Sequence, residues 1–278
     1  MRKLYEFPLV MPLNQIKNLF CILGLAMICG SATIAQTLPV QLPEICKTNE
    51  SFSSVDKELK DMKKDIVVLL HGIARTKRSM HTVEKALLKS NYQVLNIDYP
   101  STKKNITEIT PVIFDEIKRL SQENDVRVHF VAYSMGCLIV RDLLAKHPFP
   151  NIGNVVMLAP PNQGSEVADF LKDNLLYKYF YGPAGKELTT DFARKNPFPK
   201  MQHTFGVIAG NVCLDPLCYF ILPKGNDGKV TIEGTKLEGM SDHIILPCSH
   251  TFIIQNKAAI DQVKYFLKNR QFNHADTK

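Results

Sequence analysis

A serine set between small residues directly after an apolar run constrains this chain more than any other feature. Val126 to Ala132 reads as a strand, Ala132-Tyr133-Ser134-Met135-Gly136 closes it, and a helical pattern runs from Met135 to His147. A serine so placed sits on a sharp strand-to-helix turn, which lifts its hydroxyl clear of the sheet and requires small neighbours. Ala132 stands where the Gly-x-Ser-x-Gly pattern carries its first glycine, and alanine still leaves room for the turn. Five such residues also suit an ordinary strand-loop-helix junction, so their meaning depends on what surrounds them.

The surroundings repeat one rhythm. Ile66 to Leu70 is a short apolar run rich in β-branched residues, as expected of a strand buried on both faces. A helix over Lys77 to Ser90, a strand over Gln93 to Ile97, a helix over Ile106 to Gln122 and a strand over Ile152 to Leu158 extend the alternation. Thr204 to Gly210 reads as a late strand, and Asn256 to Asn269 as a closing helix with Ala259, Ile260, Val263, Phe266 and Leu267 at helical spacing. Alternation of this kind predicts an α/β fold: a mostly parallel central sheet with helices on both faces and a site at the carboxyl ends of the strands.

An exposed serine nucleophile calls for three kinds of partner. Backbone N–H groups must hold the negative oxygen of a tetrahedral intermediate, and the expected donors are Met135, which follows the serine, and Ile73 in the loop after Ile66 to Leu70, with Ala74 in reserve. His71, at the end of that strand, reads better as a packed residue than as a catalytic one. A base must take the serine proton and return it, which suits imidazole. His250, shortly before the closing helix, fits the chain order Ser, acid, His, and His243 is its rival. The acid that orients the imidazole should follow a late strand; Asp227 in Gly225-Asn226-Asp227-Gly228 is favoured, although Asp-Gly is also a plain turn, and Asp215 and Asp242 remain alternatives.

Taken together, Val67 to Ile73, Asn96 to Ser101, Ala132 to Gly136, Leu158 to Ser165, Asn226 to Val230 and Leu246 to His250 make the chain resemble small bacterial lipases and esterases of the α/β-hydrolase superfamily. The resemblance spans most of the chain from Asp65 onward. It implies Ser134, Asp227 and His250 as a catalytic triad, Ile73 and Met135 as oxyanion donors, and a serine carboxylic-ester hydrolase working through an acyl-enzyme without a cofactor. An acyltransferase using the same triad, or a non-catalytic envelope binding protein on the same scaffold, are the alternatives. The expected partner is a small-molecule ester or lipid.

Between about residues 165 and 203 the rhythm breaks. Leu175, Leu176, Tyr177, Tyr179, Phe180 and Tyr181 form an aromatic cluster, expected to be a cap whose Tyr179 and Phe180 contact an acyl chain; a helix packing its aromatics into the core is the alternative. The chain is 45% hydrophobic and 22% charged with a net charge of +7. Those charges are dispersed and do not alternate with aromatics, which argues against nucleic-acid binding and leaves weak attraction to an anionic membrane surface.

The first 35 residues carry basic residues Arg2, Lys3 and Lys17, an apolar run from Leu19 to Cys29 and small residues to Ala35, the pattern of an export signal. A periplasmic or secreted protein is expected, with an uncleaved anchor as the alternative. A polar lead over 36–64 then precedes a catalytic domain over 65–278. Removal of the signal leaves Cys46, Cys137, Cys213, Cys218 and Cys248; Cys213 and Cys218 are spaced to close a small loop, and no Cys/His spacing suggests a metal site.

Overall fold

Alternate residues of the first strand bury themselves in two separate cores, and this decides the layering. In the computed structural model, which describes residues 64–121, 126–215 and 218–277, β1 (Ile66–Leu70) is buried throughout. Ile66, Val68 and Leu70 join one apolar cluster, and Val67 and Leu69 join the other. Side chains two apart share a face of a strand, so a strand with no polar position requires cover on both sides.

That cover comes from helices. On one face lie α2 (Ile106–Ser121) and α3 (Met135–Lys146), contributing Ile109, Ile113, Ile117, Leu138 and Ile139. On the other lie α1 (His81–Lys89) and α9 (Lys257–Asn269), contributing Val83, Leu87, Ala259, Val263 and Phe266. Among the described residues six strands form the sheet, in the order β2-β1-β3-β4-β5-β6. They are β2 (Gln93–Ile97), β3 (Val128–Tyr133), β4 (Ile152–Leu158), β5 (Phe205–Gly210) and β6 (Asp242–Leu246) beside β1, and every neighbouring pair is parallel. The strand order reverses direction at β1, so the crevice between the ends of β1 and β3 is a topological switch point.

The structure differs from the sequence reading in details that have physical causes. The first helix opens as a 3-10 turn over Lys77–Met80 before α1 begins. β3 starts at Val128 and runs on to Tyr133, because Tyr133 pairs with Leu158 of β4. β6 was not foreseen: its pattern is half-exposed, with Ile245 facing outward at the sheet edge. The aromatic insertion forms α4 (Glu166–Leu171), α5 (Leu175–Glu187) and α6 (Thr190–Lys195). Two short helices, α7 (Cys218–Ile221) and α8 (Ile232–Thr235), lie between β5 and β6.

Cys213 and Cys218 are free thiols, as are Cys137 and Cys248, so the expected small disulfide loop is not formed. Cys213 Sγ donates instead to the Asp215 carbonyl at 3.2 Å. The expected export signal over 1–35, Cys46 and the polar lead up to residue 63 lie outside the described residues. Among the described residues no helix is long and apolar enough to cross a membrane.

Phe130 is the largest fully buried side chain of β3 and sits four residues before Ser134. Phe130→Ala should lower unfolding free energy in urea by about 3–5 kcal/mol, whereas Leu88→Ala, on the exposed face of α1, should cost under about 1 kcal/mol. Equal losses would show that the two-core layering does not carry the fold.

Candidate active site

The backbone at Ser134 is held where few residues go. With φ 53° and ψ −122° it departs from both strand and helix, and the chain reverses there from β3 into α3. Such a conformation costs about 1–3 kcal/mol and persists only when the surroundings enforce it. Here the Ser134 N–H donates to the Leu158 carbonyl at 2.9 Å. Two residues on, Gly136 lies so close to the end of β1 that an added Cβ would meet the carbonyl oxygens of Leu70 and His71 at 2.6 and 2.7 Å. That approach accounts for the glycine and brings the start of α3 against the β1 loop.

The start of α3 has no side-chain cap. The Cys137 N–H donates to the Ser134 carbonyl at 3.0 Å, which leaves the Met135 and Gly136 N–H groups as the first-turn donors without an intrahelical acceptor, the kind of donors a helix N-terminus offers to an anion. Ile73, in the loop after β1, lines the same cavity as Ser134. That loop is pinned by His71, whose ring stacks on Tyr99 with centroids 3.9 Å apart. His71 Nδ1 donates to the Gly72 carbonyl at 2.8 Å, and Nε2 accepts the Tyr99 N–H at 3.4 Å. Both nitrogens are thus committed to structure, and burial lowers the imidazole pKa, so the ring stays neutral. Ala74, with φ 53°, carries the turn that follows.

The base and the acid arrive from the far side of the sheet. His250 follows β6, and its Nε2 lies 3.0 Å from Ser134 Oγ. Its Nδ1 lies 2.8 Å from Asp227 Oδ2. Asp227 is fully buried at the side chain, and its second oxygen accepts the N–H groups of Lys229 and Val230 at 2.9 and 2.8 Å. The two loops also bond through their backbones, His250 N–H donating to the Asp227 carbonyl at 2.9 Å. Gly210, the last residue of β5, permits this, since a Cβ there would meet the Cys248 carbonyl at 2.3 Å and Asp227 Cβ at 2.9 Å. A carboxylate bound in this way fixes Nδ1 as the protonated nitrogen and leaves Nε2 free to accept the serine proton.

The rivals lie elsewhere. His243 is on β6, 3.1 Å from the Thr235 hydroxyl, and burial lowers its pKa. Asp242 accepts the Phe272 N–H and contacts His274. Asp215 borders the cavity beside Leu214 but is not the residue bonded to His250.

The cap departs most from expectation. Tyr179 is 81% exposed and turns away from the cavity, while Phe180 lines a neighbouring groove. Tyr177 and Tyr181, four apart on α5 and stacked at 4.6 Å, face Ser134's cavity together with Val167, Ala168, Leu171 and Leu188. The reason is helical geometry: positions 177 and 181 share a face, and 179 lies on the opposite one.

Three residues that the sequence did not single out hold this assembly together. Tyr133, at the variable position before Ser134, donates its hydroxyl to the His250 carbonyl at 3.0 Å. Arg141 on α3 is buried, with its pKa lowered to about 10 by desolvation, and donates to the carbonyls of Phe198 and Asn162 at 2.6 and 3.4 Å. Ser165 caps α4 and donates to the Lys229 carbonyl at 2.7 Å. Spacing carries no signal for Tyr133; the charged pair Arg141-Asp142, set in an otherwise apolar run from Met135 to Ala145, is a signal of a kind.

Residues 66–200, just under half of the chain, match the family model described as palmitoyl protein thioesterase. No curated protein sequence matches the chain significantly. Among solved structures, the mature lipase BlEst2 of Bacillus licheniformis superposes with a TM-score of 0.60 at 21% identity, covering 74% of this chain and 93% of that one. A metagenomic carboxyl esterase, MGS0156, gives 0.59 at 13% identity over 96% and 92% of the two chains. Phospholipase PlaB of Legionella pneumophila gives 0.58 at 17% identity, over 75% of this chain and 60% of its own length. The chain shares the α/β-hydrolase fold of these structures. On that fold the order Ser134, Asp227, His250 along the chain is the order α/β-hydrolases use.

Among the described residues no group of three or more His, Cys, Asp or Glu side chains could hold a metal ion. The buried histidines instead couple stability to pH. The folded pKa of His71 lies below its ordinary 6.5, so the unfolded chain binds the extra proton as pH falls through 6.5. Stability is therefore full above that value and drops below it. Urea midpoints should fall between pH 7.5 and pH 5.5, and the fall should be smaller in His71→Gln. An identical fall in both proteins would remove His71 from the account.

Proposed function

We propose that the protein is a serine hydrolase of carboxylic esters or thioesters, acting through an acyl-serine intermediate. The observation that carries this reading is the unbroken relay from Ser134 Oγ to His250 Nε2 at 3.0 Å and from His250 Nδ1 to Asp227 Oδ2 at 2.8 Å, opening on one cavity. Ser134 Oγ attacks the acyl carbon while His250 Nε2 takes its proton. Asp227 holds the imidazolium that results. The N–H groups of Met135 and Ile73 stabilise the oxyanion, which is worth several kcal/mol in the transition state. His250 then protonates the departing alkoxide or thiolate, and water, deprotonated by the same imidazole, cleaves the acyl-serine to a free acid.

The cavity supports an aliphatic acyl group. Val167, Ala168, Leu171, Leu188, Tyr177 and Tyr181 form its walls beyond Ser134, and burying each methylene of a chain there gains about 0.8 kcal/mol. The thioester option is supported by the match to the palmitoyl protein thioesterase model. Acyl transfer uses the same intermediate with an alcohol or amine in place of water, so product analysis with an added acceptor separates it from hydrolysis. The N-terminal pattern supports export, and a mature chain beginning near residue 36 is the expected result of N-terminal sequencing.

Ser134→Ala should abolish both labelling by a fluorophosphonate and turnover of short p-nitrophenyl esters. Asp227→Asn should lower kcat by about 10³–10⁴, and His250→Ala at least as far, while His243→Ala should stay within about twofold of wild type. Labelling that survives Ser134→Ala would overturn the assignment. In a second series, Leu171→Trp should shift the preferred acyl chain toward shorter esters, whereas Tyr179→Ser should leave the preference in place; the opposite pattern would return the acyl wall to the outer face of α5.

A further inference from the structure

We propose that the groove beside the triad receives a phosphate-bearing leaving group, with Arg75 and Lys103 as its cationic contacts. This rests on the serine-hydrolase reading and supplies the other half of the substrate.

Two openings meet at Arg75. It borders the apolar cavity that contains Ser134 and His250, and it also borders a second groove lined by Thr76, Ser101, Thr102, Lys103 and Phe180. The cavity holds about 120 Å³ and the groove about 620 Å³. A carbonyl carbon at Ser134 Oγ has two substituents, and they point in different directions. With the acyl chain among Leu171, Tyr177 and Tyr181, the leaving group is directed to the wider side, which Arg75 and Lys103 line.

That side is charged in a specific way. Neither Arg75 nor Lys103 forms an ion pair with a described residue. The one carboxylate in the lining, Asp98, accepts the Lys77 N–H at 2.9 Å. Two unpaired cations thus face one committed anion. Arg75 is close enough to the catalytic loop for its charge to act on the Tyr133 hydroxyl. A guanidinium at the boundary, planar and five-donor, fits the oxygens of a phosphate carried by the leaving group, and a lysine beyond it adds a second point charge. A neutral leaving group would leave both cations without a function. A phospholipid and a phosphate-bearing thiol carrier present the same chemistry to this groove.

The test uses the full chain and three substrates with the same acyl group: a neutral p-nitrophenyl ester, a phosphatidylglycerol in mixed detergent micelles, and an acyl coenzyme A in solution. The readout is the ratio of kcat/KM for each phosphate-bearing substrate to that for the neutral ester. Arg75→Gln should lower the ratio about tenfold through KM, Arg75→Lys about twofold, and Lys103→Gln, on an exposed turn that tolerates change, about threefold. A drop confined to the lipid or to the coenzyme identifies the source of the phosphate and supports the proposal. Ratios unchanged in Arg75→Gln and Lys103→Gln would overturn it. So would a wild type that cleaves the neutral ester and neither phosphate-bearing one, which leaves the serine-hydrolase reading standing. Absence of turnover on all three, together with absence of fluorophosphonate labelling, would overturn both.

Discussion

The structure turns on a backbone reversal that its own residue would not choose. Ser134 at φ 53° is held there by neighbours on both sides: β1 through the close approach of Gly136 to the Leu70 and His71 carbonyls, and β4 through the Leu158 carbonyl. Those contacts exist only if β3 lies between β1 and β4 in parallel register, with β1 at the point where strand order reverses. Two buried cores, one on each face, keep that register from slipping, because a shift of one residue would exchange the faces of every side chain. The sheet therefore bears a local strain of about 1–3 kcal/mol, and the result is a hydroxyl standing clear of the backbone.

Much of this was legible in the sequence because it depends on local chemistry. Strands buried on both faces show as unbroken apolar runs, and a strand-Ser-helix turn must have small residues in fixed places. Asp227 and His250 were singled out by chain order, and the structure places the His250 imidazole within hydrogen-bond reach of both the Asp227 carboxylate and the Ser134 hydroxyl. What failed was phase. Tyr177, Tyr179, Phe180 and Tyr181 are equivalent as composition, and only the rotation of α5 about its axis decides that 177 and 181 face inward. That rotation is set by tertiary contacts, among them Gly182 at φ 60°, where a Cβ would fall 1.7 Å from the Thr102 carbonyl. β6 was missed for a related reason: an edge strand with Ile245 outward has no clean alternation to read.

The side chains that hold the site together were the least legible. Tyr133, Arg141 and Ser165 each bond to backbone carbonyls far away in sequence, and a carbonyl acceptor carries no residue signature. Arg141 shows the cost of this arrangement. A buried guanidinium with carbonyl and amide partners in place of a carboxylate is desolvated enough to lower its pKa to about 10, yet it spans from the nucleophile helix to both Asn162 and Phe198. One side chain thereby fixes the distance between Ser134's helix and the far end of the cap.

The cap is accordingly a wall and not a loose cover. It is fastened where it leaves β4, by Ser165 to Lys229; in its middle, by Glu187, whose carboxylate accepts the Ile106 N–H at 2.7 Å; and where it returns, by Phe198 to Arg141. Each fastening reaches a different part of the body: the loop of Asp227, the start of α2, and α3. A segment tied at three places retains the spacing of Leu171, Tyr177 and Tyr181 against Ser134, so the shape of the cavity proposed for the acyl chain follows from the fold. The groove on the other side of Arg75 lacks such a roof; Thr102, Lys103 and Phe180 form its rim. In the proposed reaction selectivity divides by physical means: the acyl chain meets a space with fixed walls, and the leaving group a groove open to water, where screening weakens every contact except those a cation makes at close range.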